Sequence, residues 1–305
     1  MCIRDRGDIA QEMVDFSDQQ GGLITIDDLH NFSVAIENPE VGSFREYSIY
    51  TCGAWCQGPV VAQTLQMLER DDLYSLGHNS SDYIHLLSQS LNLAYSDRHA
   101  YYGDPAIVDV PIQGLLSKSY TQARRQSIDM QKGFTKMPQP GNPWSHMESN
   151  QKGRQLDNLE SIEGQTMQDT SYVCVVDRWG NAFSATPSDP LAGSPIVPGL
   201  GIQISSRGSQ SWLDPEHPSS VQPGKRPRLT PNPAIVFKDG KLFMPFGTPG
   251  GDTQCTSMVQ LFLNIVEFGM DPQLAIEQPR FAPVSYTHLR AHETLRYLVC
   301  RLLLE

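Results

Sequence analysis

Asp169-Thr170-Ser171-Tyr172-Val173-Cys174-Val175-Val176-Asp177, followed by Arg178-Trp179-Gly180-Asn181 and Ala182-Phe183-Ser184-Ala185-Thr186, is the stretch that decides how this chain folds. Residues 170–177 are β-branched and apolar, 178–181 make a tight turn, and 182–186 return as a second strand: a β-hairpin. Ahead of it, from about residue 137 to 168, Pro138, Pro140 and Pro143 break structure, and polar, unpatterned sequence with Gly153 and Gly164 follows. Such a long loop or leader is uncommon inside a compact domain and often functional. A small hydroxyl residue therefore sits where loop becomes strand. Two readings of Thr170 are open. It is an ordinary threonine leading a strand, or, if the Asp169–Thr170 bond is cut, a nucleophile with its own base. The freed α-amine, with a pKa of about 7.7–8.0 in model peptides, can deprotonate the hydroxyl on the same residue.

Working outward, the 305 residues suffice for one large domain or two small ones with a sizeable core. Hydrophobic residues at 39% and charged residues at 19% fit a soluble globular protein. The net charge of −11 excludes a nucleic-acid partner, which needs concentrated Lys and Arg. No apolar run reaches the roughly 18 residues that a membrane helix requires, so no membrane span is expected. The cysteines at 2, 52, 56, 174, 255 and 300 are too sparse for a disulfide framework and make no zinc ligand set. Cys52 and Cys56 read as packing residues rather than a bonded pair.

The ends differ in character from the body. Met1-Cys2-Ile3-Arg4-Asp5-Arg6 lacks the apolar stretch of a signal peptide, and after Phe281-Ala282-Pro283 the sequence changes abruptly. Residues 1–6 and 284–305 are read as non-native tails, and removing them leaves a more acidic body.

Within the body, Gly22 to Leu29 reads as a turn into a short helix capped by Thr25, and Tyr47 to Cys52 as a strand. Helical spacing runs over 60–69 and over 83–99, the second capped by Ser80 or Ser81, with Ile84, Leu87, Leu91 and Tyr95 on one face. Its end, with Asp97, Arg98, His99, Tyr101 and Asp104, reads as an ion pair and tyrosine hydroxyls bracing a junction, in preference to a metal site. Another helix begins near Ser117–Tyr120. A second hairpin spans 234–237 and 242–246 about Lys238-Asp239-Gly240, and an apolar helix follows over 258–268.

Between that hairpin and helix stands Gly247-Thr248-Pro249-Gly250-Gly251-Asp252. Successive glycines let backbone N–H groups converge at a helix N-terminus, where negative charge is favoured. A phosphate loop would continue Gly-Lys-Ser/Thr, and Asp252 would repel phosphate, so an oxyanion hole leads the functional options. A plain tight turn is the alternative. His292-Glu293 lacks the second histidine of a zinc helix and lies in the tail.

Taken together, Asp169 to Asp177 with Gly180-Asn181-Ala182 resembles the small-subunit start of the gamma-glutamyltranspeptidases, which are autocleaving N-terminal-nucleophile hydrolases. Further blocks agree in order: Gly22-Leu23-Ile24-Thr25, Ala94 to Pro105, Lys225-Arg226-Pro227 through Pro233, Gly247 to Gly251, and Gly269-Met270-Asp271-Pro272 through Phe281. The resemblance covers about residues 7–283. It implies an α+β fold, an αββα sandwich, with 7–169 the C-terminal part of the large subunit and 170–283 the small, catalytic subunit. It implies Thr170 as nucleophile and the N–H groups of Gly250 and Gly251 as oxyanion hole. Bracing and head-group positions fall near Thr186, Ser188, Arg207, Gln210 and Thr230. The substrate implied is a γ-glutamyl amide of the glutathione type, with water or an amine as acceptor and the two subunits as products of one precursor. Acyl transfer of this kind needs no metal or organic cofactor, and the family favours a periplasmic or secreted location.

The sequence departs from the family at several points. Pro190 replaces an Asn, Leu229 replaces the first of two serines, and Ser205-Ser206-Arg207-Gly208 replaces acidic and amide residues. An upstream Arg that clamps the substrate carboxylate has no counterpart, so the chain reads as a fragment lacking the first part of the large subunit. Two alternatives follow: a glutaryl-amide hydrolase of the cephalosporin acylase type, and an uncleaved, non-catalytic scaffold.

Overall fold

A computed structural model describes residues 7–147, 170–189 and 195–282. Both tails and residues 148–169 of the leader lie outside them. Ahead of Thr170 come α1 (Asp8–Gln19), α2 (Ile26–Asn31), β1 (Glu40–Phe44), β2 (Tyr47–Thr51), α3 (Gly58–Leu68), α4 (Leu73–Leu76), α5 (Ser81–Tyr101), α6 (Ile112–Leu115) and α7 (Lys118–Gln126). After it come β3 (Val173–Val176), β4 (Ala182–Ala185), β5 (Ile196–Val197), β6 (Ile202–Gln203), β7 (Ala234–Lys238), β8 (Lys241–Phe246), α8 (Thr253–Val266) and α9 (Pro272–Glu277).

Local chemistry explains most starts. Thr25 and Asp28 form a reciprocal capping box, and Ser80 and Ser117 accept from the N–H groups of Tyr83 and Tyr120. Each such cap stabilises its helix by about 1 kcal/mol. The last apolar helix begins at Thr253 rather than near 258. Its first turn, Thr253-Gln254-Cys255-Thr256, is polar in sequence and so hides the period, yet Gln254 and Cys255 are fully buried.

The main sheet is antiparallel in the order β1-β2-β7-β8. Because β2 pairs with β7, Ile49 opposite Val236, chain from both sides of Thr170 builds one sheet. On one face, α3 lies so close to β1 that a side chain at Gly42 would meet Ala62 Cβ at 2.5 Å. Phe262 of α8 meets Phe44 and Tyr47 edge-on, at 5.6 and 5.5 Å between centroids. The hairpin β3–β4 makes a separate sheet that packs on β7 and β8 without hydrogen-bonding to them. Helices, a four-stranded sheet and a second sheet stacked on it make an α+β architecture and, among the described residues, three of the four layers of an αββα sandwich. Val173, Val175, Val176 and Phe183 of the hairpin are exposed.

From Gln89 onward α5 is buried all round rather than on one stripe, so its polar residues need internal partners. Asp97 takes hydrogen bonds from Gln63 Nε2 at 2.6 Å and Gly141 N at 2.9 Å and pairs with Arg124 at 3.2 Å. Burial pushes its carboxyl up, with Arg124 opposing. The expected Asp97–Arg98 pair is thereby corrected: consecutive helical residues face apart, and Arg98 instead pairs with Asp252 at 2.8 Å. Among the described residues, no helix is long and apolar enough to cross a membrane.

Candidate active site

Thr170 forms an isolated antiparallel bridge with Ser188, and their hydroxyl oxygens lie 2.6 Å apart. The regular strand starts at Val173, not at Thr170 as the sequence suggests. Pro187 on the opposing segment has no N–H, so it accepts from Ser171 N at 2.9 Å but returns nothing to the ladder. The threonine is left half-buried at that sheet end.

Arg207, on a 3₁₀ turn over Arg207–Gln210, donates from Nε to Ser188 O at 3.1 Å, from Nη2 to Ser188 Oγ, and reaches Thr230 Oγ1 at 3.5 Å. Burial pulls the pKa of this guanidinium down, opposed by Asp189. A guanidinium only donates, so Ser188 Oγ accepts from it; between Ser188 and Thr170 either hydroxyl can be the donor. Two expected residues leave an oxygen unpartnered. Thr186 is 9% exposed and its Oγ1 has no hydrogen-bond partner among the described residues; the same holds for Gln210 Oε1.

The glycine loop is placed by Tyr172. Gly247 lies against its ring so tightly that a Cβ there would be 2.4 Å from a ring carbon. Gly250 and Gly251 have φ of 128° and 55°, open to glycine and strained for other residues. Gly250 O accepts from Thr253 N at 3.0 Å and from Thr253 Oγ1 at 2.8 Å. The peptide is trans, so the Gly251 N–H points the opposite way from that carbonyl. The loop ends at the N-terminus of α8, where partial positive charge gathers. Burial of the Asp252 carboxylate there is outweighed by Arg98 and Arg228, which hold its pKa low, and the negative charge it keeps is balanced by the Arg98 guanidinium 2.8 Å away.

One residue that the sequence did not mark ties these parts together. Gln57, fully buried, donates from Nε2 to Thr230 O at 2.5 Å and to Gly251 O at 2.8 Å, and accepts from Arg98 Nη1 at 2.5 Å. An unbroken run of contacts thus leads from Thr170 through Ser188, Arg207, Thr230 and Gln57 to Gly251. The Thr230 loop is held further by Leu229 N donating to Trp55 O at 2.8 Å and Cys56 Sγ to Pro231 O at 2.7 Å. At its start, Arg226 grips Asp104 at 2.9 Å, joining two of the sequence blocks. Cys52, Cys56, Cys174 and Cys255 are free thiols.

Behind Arg98, His217 stacks on Trp212 at 4.4 Å with His99 5.2 Å away, and Arg228 lies over the Trp212 ring. Burial first, then Arg228, lowers His217 to about 4 and His99 to about 3. Their folded pKa values lie below the unfolded value of about 6.5, so the unfolded chain binds more protons between those limits. Stability is therefore expected to fall as pH drops from about 6.5 to about 4. Thermal midpoints across this range should decline less steeply in His217→Phe; an identical slope would remove the histidine from the account.

With helices on a four-stranded sheet and a hairpin led by Thr170 stacked on it, the chain has the fold class of the N-terminal-nucleophile hydrolases. It belongs to the gamma-glutamyltranspeptidase family, whose model matches residues 5–297. It is 34% identical over 289 residues to the glutathione hydrolase proenzyme of Bacillus subtilis (strain 168), covering 93% of this chain and 48% of that protein. Acylase ACY 1 proenzyme of Pseudomonas sp. (strain SE83) is 30% identical over 277 residues, covering 90% and 46%. The crystal structure of a cephalosporin acylase from Bacillus halodurans superposes with a TM-score of 0.75 at 27% identity, over 91% of this chain and 46% of that one. The chain spans about half the length of the curated relatives it matches.

Proposed function

We propose that the protein is a self-cleaving acyl-transfer enzyme acting on γ-glutamyl amides of the glutathione type. The observation that carries this is the contact run from Thr170 to Gly251, which links a hydroxyl, an arginine and a glycine loop through successive hydrogen bonds and so supports their acting together. Cleavage before Thr170 leaves a free α-amine. That amine takes the Oγ1 proton as Oγ1 attacks the substrate carbonyl, and the N–H groups of Gly250 and Gly251 receive the oxyanion. The leaving amine departs with the proton, and water or a second amine then attacks the ester to release the acyl group. Ser188 braces the nucleophile, and Thr186, Arg207, Gln210 and Thr230 are the further bracing and head-group positions. Residues 7–169 and 170–283 are the two products of the cut.

A second reading keeps the mechanism and changes the substrate to a glutaryl-type amide. Its motive is the head-group chemistry: Ser205 and Ser206 stand where acidic or amide residues would hold an α-ammonium group, and Asp189 already accepts from Ser205 Oγ at 2.9 Å. The likeness to a cephalosporin acylase agrees with it. The purified protein is expected to release chromophore from a γ-glutamyl anilide at least about ten-fold faster than from a glutaryl anilide, since one well-placed polar contact is worth that much. Turnover of the glutaryl compound alone would establish the second reading; turnover of neither would end both.

A further inference from the structure

We propose that Gln57 is a positioning residue that holds the oxyanion loop and the head-group loop in register, a role that rests on the acyl-transfer reading above. Its amide orientation is dictated by its partners. Arg98 can only donate and takes Oε1; the carbonyls of Thr230 and Gly251 can only accept and take Nε2. No other orientation of the amide satisfies all three. Arg98 is itself fixed by Asp252, the residue after Gly251, and lies over the Tyr95 ring, whose hydroxyl donates to Asp252 O at 2.5 Å.

The consequence lies in the glycines. Two adjacent glycines have the backbone freedom to swing an N–H away from the reacting oxygen. Thr253 holds the carbonyl of Gly250, and Gln57 at 2.8 Å together with Gln254 N at 3.3 Å holds that of Gly251, so the segment is restrained on both sides. Gln57 simultaneously holds the Thr230 backbone, whose side chain is within reach of Arg207. Donors preorganised around a developing oxyanion supply much of the acceleration in acyl transfer, and a displacement of about 1 Å costs about 10²-fold. Because Gln57 touches no substrate, it acts through these two loops.

The test uses two near-isosteric variants of the purified protein, with rates expressed per molecule carrying a free Thr170 amino end. Gln57→Met removes both donors; Gln57→Glu removes them while keeping an acceptor for Arg98. Each is expected to lower kcat on the γ-glutamyl anilide by about 10²-fold. The deficit of Gln57→Glu relative to wild type should shrink from about pH 9 to about pH 5, because a protonated carboxyl regains one donor, whereas that of Gln57→Met stays constant. A kcat within about three-fold of wild type for Gln57→Met overturns the proposal. So does a deficit that vanishes once counted per processed molecule, or one with the same pH dependence in both variants. If Gln57→Glu does not fold, the Gln57→Met rate decides alone. A wild type that releases no chromophore sinks the acyl-transfer reading, an outcome separate from these.

Discussion

Thr170→Ala is expected to migrate as one band on a denaturing gel where the wild type gives two, and to lose activity by at least about 10⁴-fold, the scale seen when a nucleophile is removed. The reason is that the proposed mechanism gives one residue both jobs: its hydroxyl would open the preceding peptide bond and then attack substrate, and the amine released by the first step would serve the second as base. Nothing nearby substitutes for it: Ser188 Oγ, 2.6 Å away, is the adjacent hydroxyl, but it lies inside the chain and can gain no amine. Thr170→Ser keeps a hydroxyl and an amine and should still cut, more slowly. Amino-end sequencing of the smaller wild-type fragment is expected to start at Thr170. A fragment starting elsewhere, with activity intact, or two bands from Thr170→Ala, would remove the nucleophile from the mechanism.

Asp97→Ala is expected to lower stability by about 3–5 kcal/mol, the range for breaking a buried ion pair at one end. Asp97 is fully buried and Arg124 is 11% exposed, so deleting the carboxylate strands a guanidinium away from water. It also leaves Gly141 N–H and the Gln63 amide without their acceptor. Urea unfolding should show a lower midpoint at unchanged slope. Asp97→Asn, which retains an acceptor for Gly141, should fall between. A loss below about 1 kcal/mol for Asp97→Ala would mean that the Gln139 and Leu93 carbonyls, which Arg124 also reaches, satisfy it alone.

How far the sequence reached depends on the range of the interaction. The hairpin turn at 178–181, the cap at Thr25, the cap offered at Ser80 or Ser81 and the helix start near Ser117 are written within four residues of chain, and each stands where the pattern puts it. β1 and α9 carry half-exposed patterns too weak to register, and α8 hid its polar first turn. The nucleophile was legible as a hydroxyl at a loop-to-strand boundary, but the bland reading of such a residue was equally legible. The order of several motifs along the chain, and not any one of them, raised it.

The chain by itself therefore determined the hairpin, the caps, the glycine loop and the family, because turn chemistry, periodicity and motif order are local or linear properties. Only the tertiary structure decided that Arg98 serves Asp252 rather than Asp97, that Arg207 reaches both Ser188 and Thr230, and that Thr186 Oγ1 and Gln210 Oε1 have no hydrogen-bond partner among the described residues. Gln57 is the clearest case: its two acceptors lie 173 and 194 residues away along the chain. A neutral amide beside a helix start carries no mark of such partners, since what it does is fixed by which carbonyls the fold brings to it.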